Sequence, residues 1–192
     1  MIYLCRHGQT EYNREGRMQG RMDSVLTDLG RAQAAAMGGL LRGLIPGTGA
    51  WRVVASPQVR AKATAAIIGE RLHLPVALDD RLMEISVGAW EGHLIDDLRH
   101  RHPDAFAERD WHFRAPDGET YDQVYARASG WLADQDPARP VIVVSHGVTG
   151  RLIRAAYLGL GPEAAMDLPI PQDAVFRLDD GRVERIDCET VA

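Results

Sequence analysis

Short apolar runs alternate with helix-length patterns along this chain, and that alternation limits the folds open to it more than any other feature. Ile2 to Cys5, Arg52 to Ala55, about Pro75 to Leu78 and Val141 to Val144 read as strands, the last as four β-branched residues in a row. Between them, apolar residues recur at helical spacing. Thr27 is placed to cap a helix reaching about Leu44, with Leu29, Ala32, Ala36, Leu40 and Leu44 near one face, and Pro46-Gly47-Thr48-Gly49 ends it. Ser56 is placed to cap a second helix, with Pro57 at its first position, that runs to about Leu72. A third follows Gly118-Glu119-Thr120 and presents Tyr121, Val124, Tyr125, Ala128 and Leu132. A fourth follows Ser145-His146-Gly147, with Leu152, Ile153, Ala156 and Tyr157 on one side. Ala174 to Ile186 reads as two strands turning at Asp179-Asp180-Gly181. The fold class expected is α/β, a three-layer α/β/α sandwich with a largely parallel central sheet and helices on both faces.

With 192 residues the chain suits one well-buried domain over 1–192. Residues 86–120, less regular and rich in Trp, His and Arg, read as a cap-like excursion from it. The net charge of −5 argues against wholesale binding of nucleic acid or an anionic membrane, so an anionic ligand would need a local cluster of Arg. Cys5 and Cys188 form neither a disulfide framework nor a metal-ligand or redox spacing. A strand starting at residue 2 leaves no room for a signal peptide, and no apolar run approaches the ~20 residues of a membrane span. The expectation is a soluble, cytoplasmic protein, of an oligomeric state that the sequence does not disclose.

In open α/β sheets ligands bind beyond the carboxyl ends of the strands. Here the first strand ends in Arg6-His7-Gly8, the second in Ser56-Pro57 with Arg60 in the next helical turn, and the fourth in Ser145-His146-Gly147. A guanidinium beside His7 favours the neutral, nucleophilic imidazole and grips phosphoryl oxygens with a planar fork. Gly8 reads as a place where backbone approaches a bound oxyanion. Arg60 sits poorly with a helix N-terminal dipole unless an anion is present. Taken alone, Arg-His-Gly equally describes a turn with a solvated Arg and a satisfied core His. Two Arg, two His and a helix start on one rim describe a dianion pocket.

At this point the chain resembles the histidine phosphatase superfamily, also called the phosphoglycerate mutase-like family, across nearly its whole length. Four segments in the family order carry the resemblance. They are Arg6-His7-Gly8-Gln9-Thr10, Ser56-Pro57-x-x-Arg60-Ala61-x-x-Thr64-Ala65, Leu82-x-Glu84-x-x-x-Gly88-x-Trp90-Glu91-Gly92, and Ser145-His146-Gly147. The resemblance implies a phosphoglycerate mutase-like fold and a phosphomonoester hydrolase acting on a small phosphorylated metabolite. His7 would carry a transient phosphohistidine. Arg6, Arg60 and His146 would hold the phosphoryl oxygens. Glu84 would protonate the leaving oxygen and then activate water, with neighbouring Glu91 as the rival carboxylate. Asn13, Gln19 and Gly20 match family positions on the loop around the phosphate. No metal or other cofactor is called for, because the cationic residues supply the positive charge. Trp90 reads as core or pocket wall. For His93, His102, Arg109, His112 and Arg114, solvent exposure and substrate contact are equally open.

Phosphoglycerate mutase is the alternative reading. The short stub after Ile186, the Gly88-x-Trp90-Glu91-Gly92 form and Gln19-Gly20 favour water as the acceptor. A phospho-ligand-binding module without turnover is a third reading, disfavoured because His7, Arg6, Arg60, Glu84 and His146 are all present. Asp117 before Gly118-Glu119-Thr120, and Gln172-Asp173 near the end, depart from the family pattern at the expected pocket rim. They leave the leaving group open.

Overall fold

A computed structural model describes residues 1–47 and 49–189; Thr48 in the expected helix break and the last residues of the stub to Ala192 lie outside the described residues. Six strands form one sheet: β1 (Ile2–Arg6), β2 (Arg52–Ala55), β3 (Val76–Leu78), β4 (Val141–Ser145), β5 (Ala174–Asp179) and β6 (Arg182–Asp187), in the order β3-β2-β4-β1-β5-β6. The first four in that order run parallel, and the β5–β6 hairpin is antiparallel at the β1 edge. The eight helices described are α1 (Glu11–Glu15), α2 (Asp28–Leu44), α3 (Val59–Leu72), α4 (Ile95–Arg101), α5 (Pro103–Ala107), α6 (Tyr121–Ala133), α7 (Gly147–Leu158) and α8 (Pro162–Met166). The architecture is the three-layer α/β/α sandwich expected.

Strand alternation explains the two cores. Val141 and Val143 of β4, with Leu4 and Val54, pack on one face against α6 and α7 through Val124, Trp131 and Leu152. Ile142 and Val144, with Tyr3, Cys5 and Val53, pack on the other against α2 and α3 through Met37, Leu41 and Ile68. A strand buried on both faces has no polar side to show, which is why its run is continuously apolar. At the β5–β6 turn, Asp180 (φ 48°) and Gly181 (φ 72°) both adopt the left-handed conformation that a tight hairpin requires.

Several local expectations are corrected. In α2 the buried residues are Gly30, Ala34, Met37, Gly38 and Leu41, whereas Leu29 and Leu44 are 39% and 37% exposed. Two apolar stripes compete on this Ala/Gly/Leu-rich helix, and the one with small residues wins because it approaches its neighbours more closely. Gly8 and Gly30 show how close: a Cβ on Gly8 would lie 2.1 Å from the Gly30 carbonyl oxygen, and one on Gly30 would lie 2.0 Å from that of Gln9. Gly8 therefore makes room for a helix. Helix α3 starts two residues later than expected, with Gln58 at its N-cap and no side-chain cap. The Ser56 hydroxyl is engaged elsewhere, as described below. Helix α7 is buried all round for its first nine residues, with Arg151 and Arg154 among them. Thr27 and Thr120 cap α2 and α6 as their sequence positions imply. Residues 86–120 form short helices and turns anchored to the first core by Trp90 and Leu98.

Candidate active site

The parallel ladder does not stop at the strand ends. His7 N–H donates to the Ser145 carbonyl and Ser56 N–H to that of Val144, each at 3.0 Å, so the three loops leaving β1, β2 and β4 emerge stitched together. These loops, with those carrying residues 13–20 and 84–87, enclose a cleft of about 230 Å³. Arg6, His7, Asn13, Gln19, Gly20, Arg60 and Glu84 all line it. His146 does not reach the wall; its ring lies beside that of His7, with centroids 5.2 Å apart, and is buried.

His7 is 2% exposed, and its Nδ1 lies 2.8 Å from the Gly8 carbonyl oxygen. A carbonyl only accepts, so Nδ1 carries the proton and Nε2 keeps its lone pair. Burial drives the His7 pKa well below its ordinary value of 6.5; the charges of Arg60 and then Arg6 push the same way, against the Gly8 hydrogen bond. The neutral imidazole expected from Arg6 is thus present, but burial is its leading cause. Burial likewise lowers His146, aided by Arg60, His7 and Arg6. His146 Nε2 pairs with Ser56 Oγ at 2.8 Å, and its Nδ1 is buried without a partner among the described residues.

Arg60 is 1% exposed and donates from its two terminal nitrogens to the carbonyls of Met22 and Gly20, both at 2.9 Å. Arg6 donates to the Ile170 carbonyl. Both Nε atoms are buried and unpartnered among the described residues. Burial lowers the Arg6 pKa to about 10, so both guanidinium groups carry charge at neutral pH. Glu84 is held by the start of α7: Oε1 accepts from Ile85 N, Thr149 N and Thr149 Oγ1, and Oε2 from Val148 N at 3.1 Å. Free N–H groups at a helix start are the natural seat for a carboxylate. Glu91 is turned away, its Oε1 accepting from Arg21 N and Ser86 Oγ.

Supporting residues went unnoticed as such in the sequence. Gln58 Nε2 donates to the Gly20 carbonyl, while its Oε1 accepts from Glu84 N at 2.7 Å, tying two walls together. Thr64 Oγ1 accepts from Gly8 N and donates to the Arg60 carbonyl. Gln172 Nε2 donates to the His7 carbonyl and to Asn13 Oδ1, so one of the departures from the family pattern braces the loop after β1. Thr64 stood inside a quoted motif; Gln58 and Thr149 carried no signal at all. Of the five open candidates in the excursion, only His112 lines the cleft. His93, His102, Arg109 and Arg114 are exposed, the two arginines pairing with Asp167 and Asp110.

Three imidazoles, the buried His7 and His146 and the half-buried His112, have pKa values held below 6.5, that of His112 at about 4. In each case the unfolded chain takes up a proton near pH 6.5 that the folded chain refuses. Stability contributed by the neutral form is complete above pH 6.5 and drains away as pH falls toward the folded-state values. Urea unfolding at pH 7.5, 6 and 5 should show a falling midpoint. H112Q should flatten the decline by up to about 1.4 kcal/mol per pH unit. Equal slopes for the two proteins would refute the neutral state of His112.

Comparison with known proteins adds an independent line. The family model described as "Histidine phosphatase superfamily (branch 1)" matches residues 2–184. The "Probable phosphoglycerate mutase GpmB" of Enterobacter sp. (strain 638) is 32% identical over 191 residues, covering 93% of this chain and 84% of that protein. Among solved structures, a mycobacterial glucosyl-3-phosphoglycerate phosphatase complexed with VO3 superposes with a TM-score of 0.84 at 32% identity, covering 98% of each chain. Bacillus stearothermophilus YhfR gives 0.79 at 32% identity, covering 97% of this chain and 95% of its own.

Proposed function

This chain belongs to branch 1 of the histidine phosphatase superfamily, and from that premise we propose a phosphomonoesterase that works through a phosphohistidine on a small phosphorylated metabolite. The observation that carries the reading is His7. It is a buried, neutral imidazole whose proton is committed to the Gly8 carbonyl, with Nε2 unprotonated, beside two guanidinium groups on one cleft.

The reaction follows from these positions. His7 Nε2 attacks phosphorus as the bond to the leaving oxygen breaks, and Glu84, entering this step as the carboxylic acid, gives that oxygen its proton. The ionised Glu84 then takes a proton from water, whose oxygen attacks the phosphohistidine. Phosphate leaves, and Nε2 regains its lone pair. Arg6 and Arg60 stabilise charge spread over the equatorial oxygens. Ser56 accepts from Gln58 N, so its own hydrogen is free for His146 Nε2. With Nε2 accepting that hydrogen, the His146 proton sits on the buried Nδ1, beside the His7 ring and behind the cleft wall. Asn13, Gln19 and Gly20 also line the cleft, and the Gly20 carbonyl holds Arg60. Among the described residues no group of three or more His, Cys, Asp or Glu is arranged to hold a metal ion. The charge the transition state needs comes from arginine.

We read the chain as one catalytic domain with residues 86–120 as its cap, resident in the cytoplasm. The free thiols of Cys5 and Cys188 suit a reducing compartment, and no described helix is long and apolar enough to cross a membrane.

Mutase activity is the second reading, favoured by the GpmB likeness. One assay separates them. The protein is incubated with p-nitrophenyl phosphate, and separately with 3-phosphoglycerate plus 2,3-bisphosphoglycerate, in the presence of EDTA. Expected is free phosphate from the aryl ester with no accumulation of 2-phosphoglycerate. Rapid formation of 2-phosphoglycerate with little free phosphate would establish the mutase instead. Activity lost in EDTA and restored by added metal would overturn the arginine-only mechanism.

A further inference from the structure

Beyond its phosphoryl end, the cleft changes character. Ile85, Val87, Ile95, Trp111 and Val148 make its outer wall apolar. Arg17 is the one further cation among the lining residues, and it is already engaged, Nε with Glu15 Oε2 at 2.7 Å and a terminal nitrogen with the Gly92 carbonyl at 2.9 Å. Into this wall the excursion delivers one uncommitted polar ring. Trp90 of the core stacks on Phe106 at 5.3 Å between ring centroids, Phe106 on Trp111 at 4.5 Å, and Trp111 on His112 at 3.7 Å. A stack of four rings rooted in a buried Trp is a rigid arm, and His112 is its tip at the cleft. His112 makes no side-chain hydrogen bond among the described residues; its Nδ1 is sealed from solvent, so Nε2 is the ring nitrogen a ligand in the cleft can reach.

An unpartnered polar atom in an apolar wall discriminates strongly, because a ligand that fails to pair with it leaves the desolvation penalty uncompensated. Among the lining residues beyond the phosphoryl end, the one cation left for a second anion on the leaving group is Arg17, which is already engaged. Resting on the phosphatase reading, we propose that His112 is a specificity-determining residue that reads, by one hydrogen bond, an uncharged hydroxyl on the leaving group. Burial and the nearby charge of Arg151 hold its pKa near 4, so the ring meets the substrate neutral.

Three alkyl phosphates test this. Glycerol 3-phosphate carries a terminal and a central hydroxyl, 3-phosphoglycerate keeps the central one but has a carboxylate in place of the terminal CH2OH, and benzyl phosphate is apolar with a leaving alcohol of comparable acidity. Wild type should favour glycerol 3-phosphate over 3-phosphoglycerate in kcat/KM by about ten-fold. H112F should lose about ten-fold on glycerol 3-phosphate and less than about two-fold on benzyl phosphate, with H112N recovering part of the loss. Retained benzyl phosphate turnover shows that the variant is folded. Equal losses on both esters, no loss on glycerol 3-phosphate, or a wild-type preference for 3-phosphoglycerate would each overturn the assignment of His112. A wild type that hydrolyses p-nitrophenyl phosphate but none of the three would overturn it too, leaving the phosphatase reading intact. Failure on p-nitrophenyl phosphate as well would sink that reading and the inference with it.

Discussion

Replacing His7 with alanine is expected to lower kcat by about four orders of magnitude or more, because no covalent intermediate can then form. The size of the effect follows from how little else on the cleft can substitute. Among the described residues Cys5 is buried in the second core with its thiol pKa raised by burial, so it offers no thiolate. His146 lies behind the wall with Nε2 on Ser56. Arg6 and Arg60 stay charged in the variant, so inorganic phosphate should still bind, with an affinity within about ten-fold of wild type by calorimetry. Wild type turning over a ³²P-labelled ester and quenched in alkaline detergent should carry alkali-stable, acid-labile label, and His7→Ala none. A variant keeping a few per cent of turnover, or label appearing on another residue, would remove His7 from the nucleophile's place.

His7 illustrates what was legible in the sequence and what was not. The strands could be read because a parallel sheet buries both faces, and continuous apolar runs such as Val141–Val144 have few other uses. The candidate site could be read because its residues sit where such a sheet ends, at Arg6-His7, Ser56 to Arg60 and Ser145-His146. Neutral His7 was legible too, but its reason was not: burial is a property of three loops closing together, invisible in a neighbouring Arg. The same limit explains α2, where two apolar stripes are equivalent until Gly30 and Gly38 meet their partners. Ser56 looked like a helix cap because its spacing allows that, yet its hydroxyl serves His146 across 90 residues of chain. His112 stood among five equal candidates in the excursion. Only the stacking of Trp90, Phe106 and Trp111, residues of separate short elements, singles it out.

Glu84→Gln should produce the second large effect, and its signature is selectivity more than size. An alkyl leaving oxygen needs a proton as the bond to phosphorus breaks, whereas p-nitrophenolate leaves without one. Loss of a positioned general acid costs about 10²- to 10⁴-fold. The variant should therefore lose about a thousand-fold in kcat on benzyl phosphate and about ten-fold or less on p-nitrophenyl phosphate. With the aryl ester, loss of the base for water should make dephosphorylation limiting, so labelled enzyme accumulates in the variant. The substitution also disturbs the seat: glutamine can keep an oxygen toward Ile85 N and Thr149 N, but its NH2 then faces the Val148 N–H that Oε2 accepts in wild type. That mismatch costs about 1–3 kcal/mol of stability, measurable by urea unfolding and separable from the kinetics. The rival carboxylate provides the contrast. Glu91 braces Arg21 and Ser86 away from the cleft, so Glu91→Gln should leave the ratio of aryl to alkyl turnover where it stands in wild type. If Glu84→Gln lowers both esters equally, or if Glu91→Gln is the variant that separates them, the proton donor has been assigned to the wrong carboxylate.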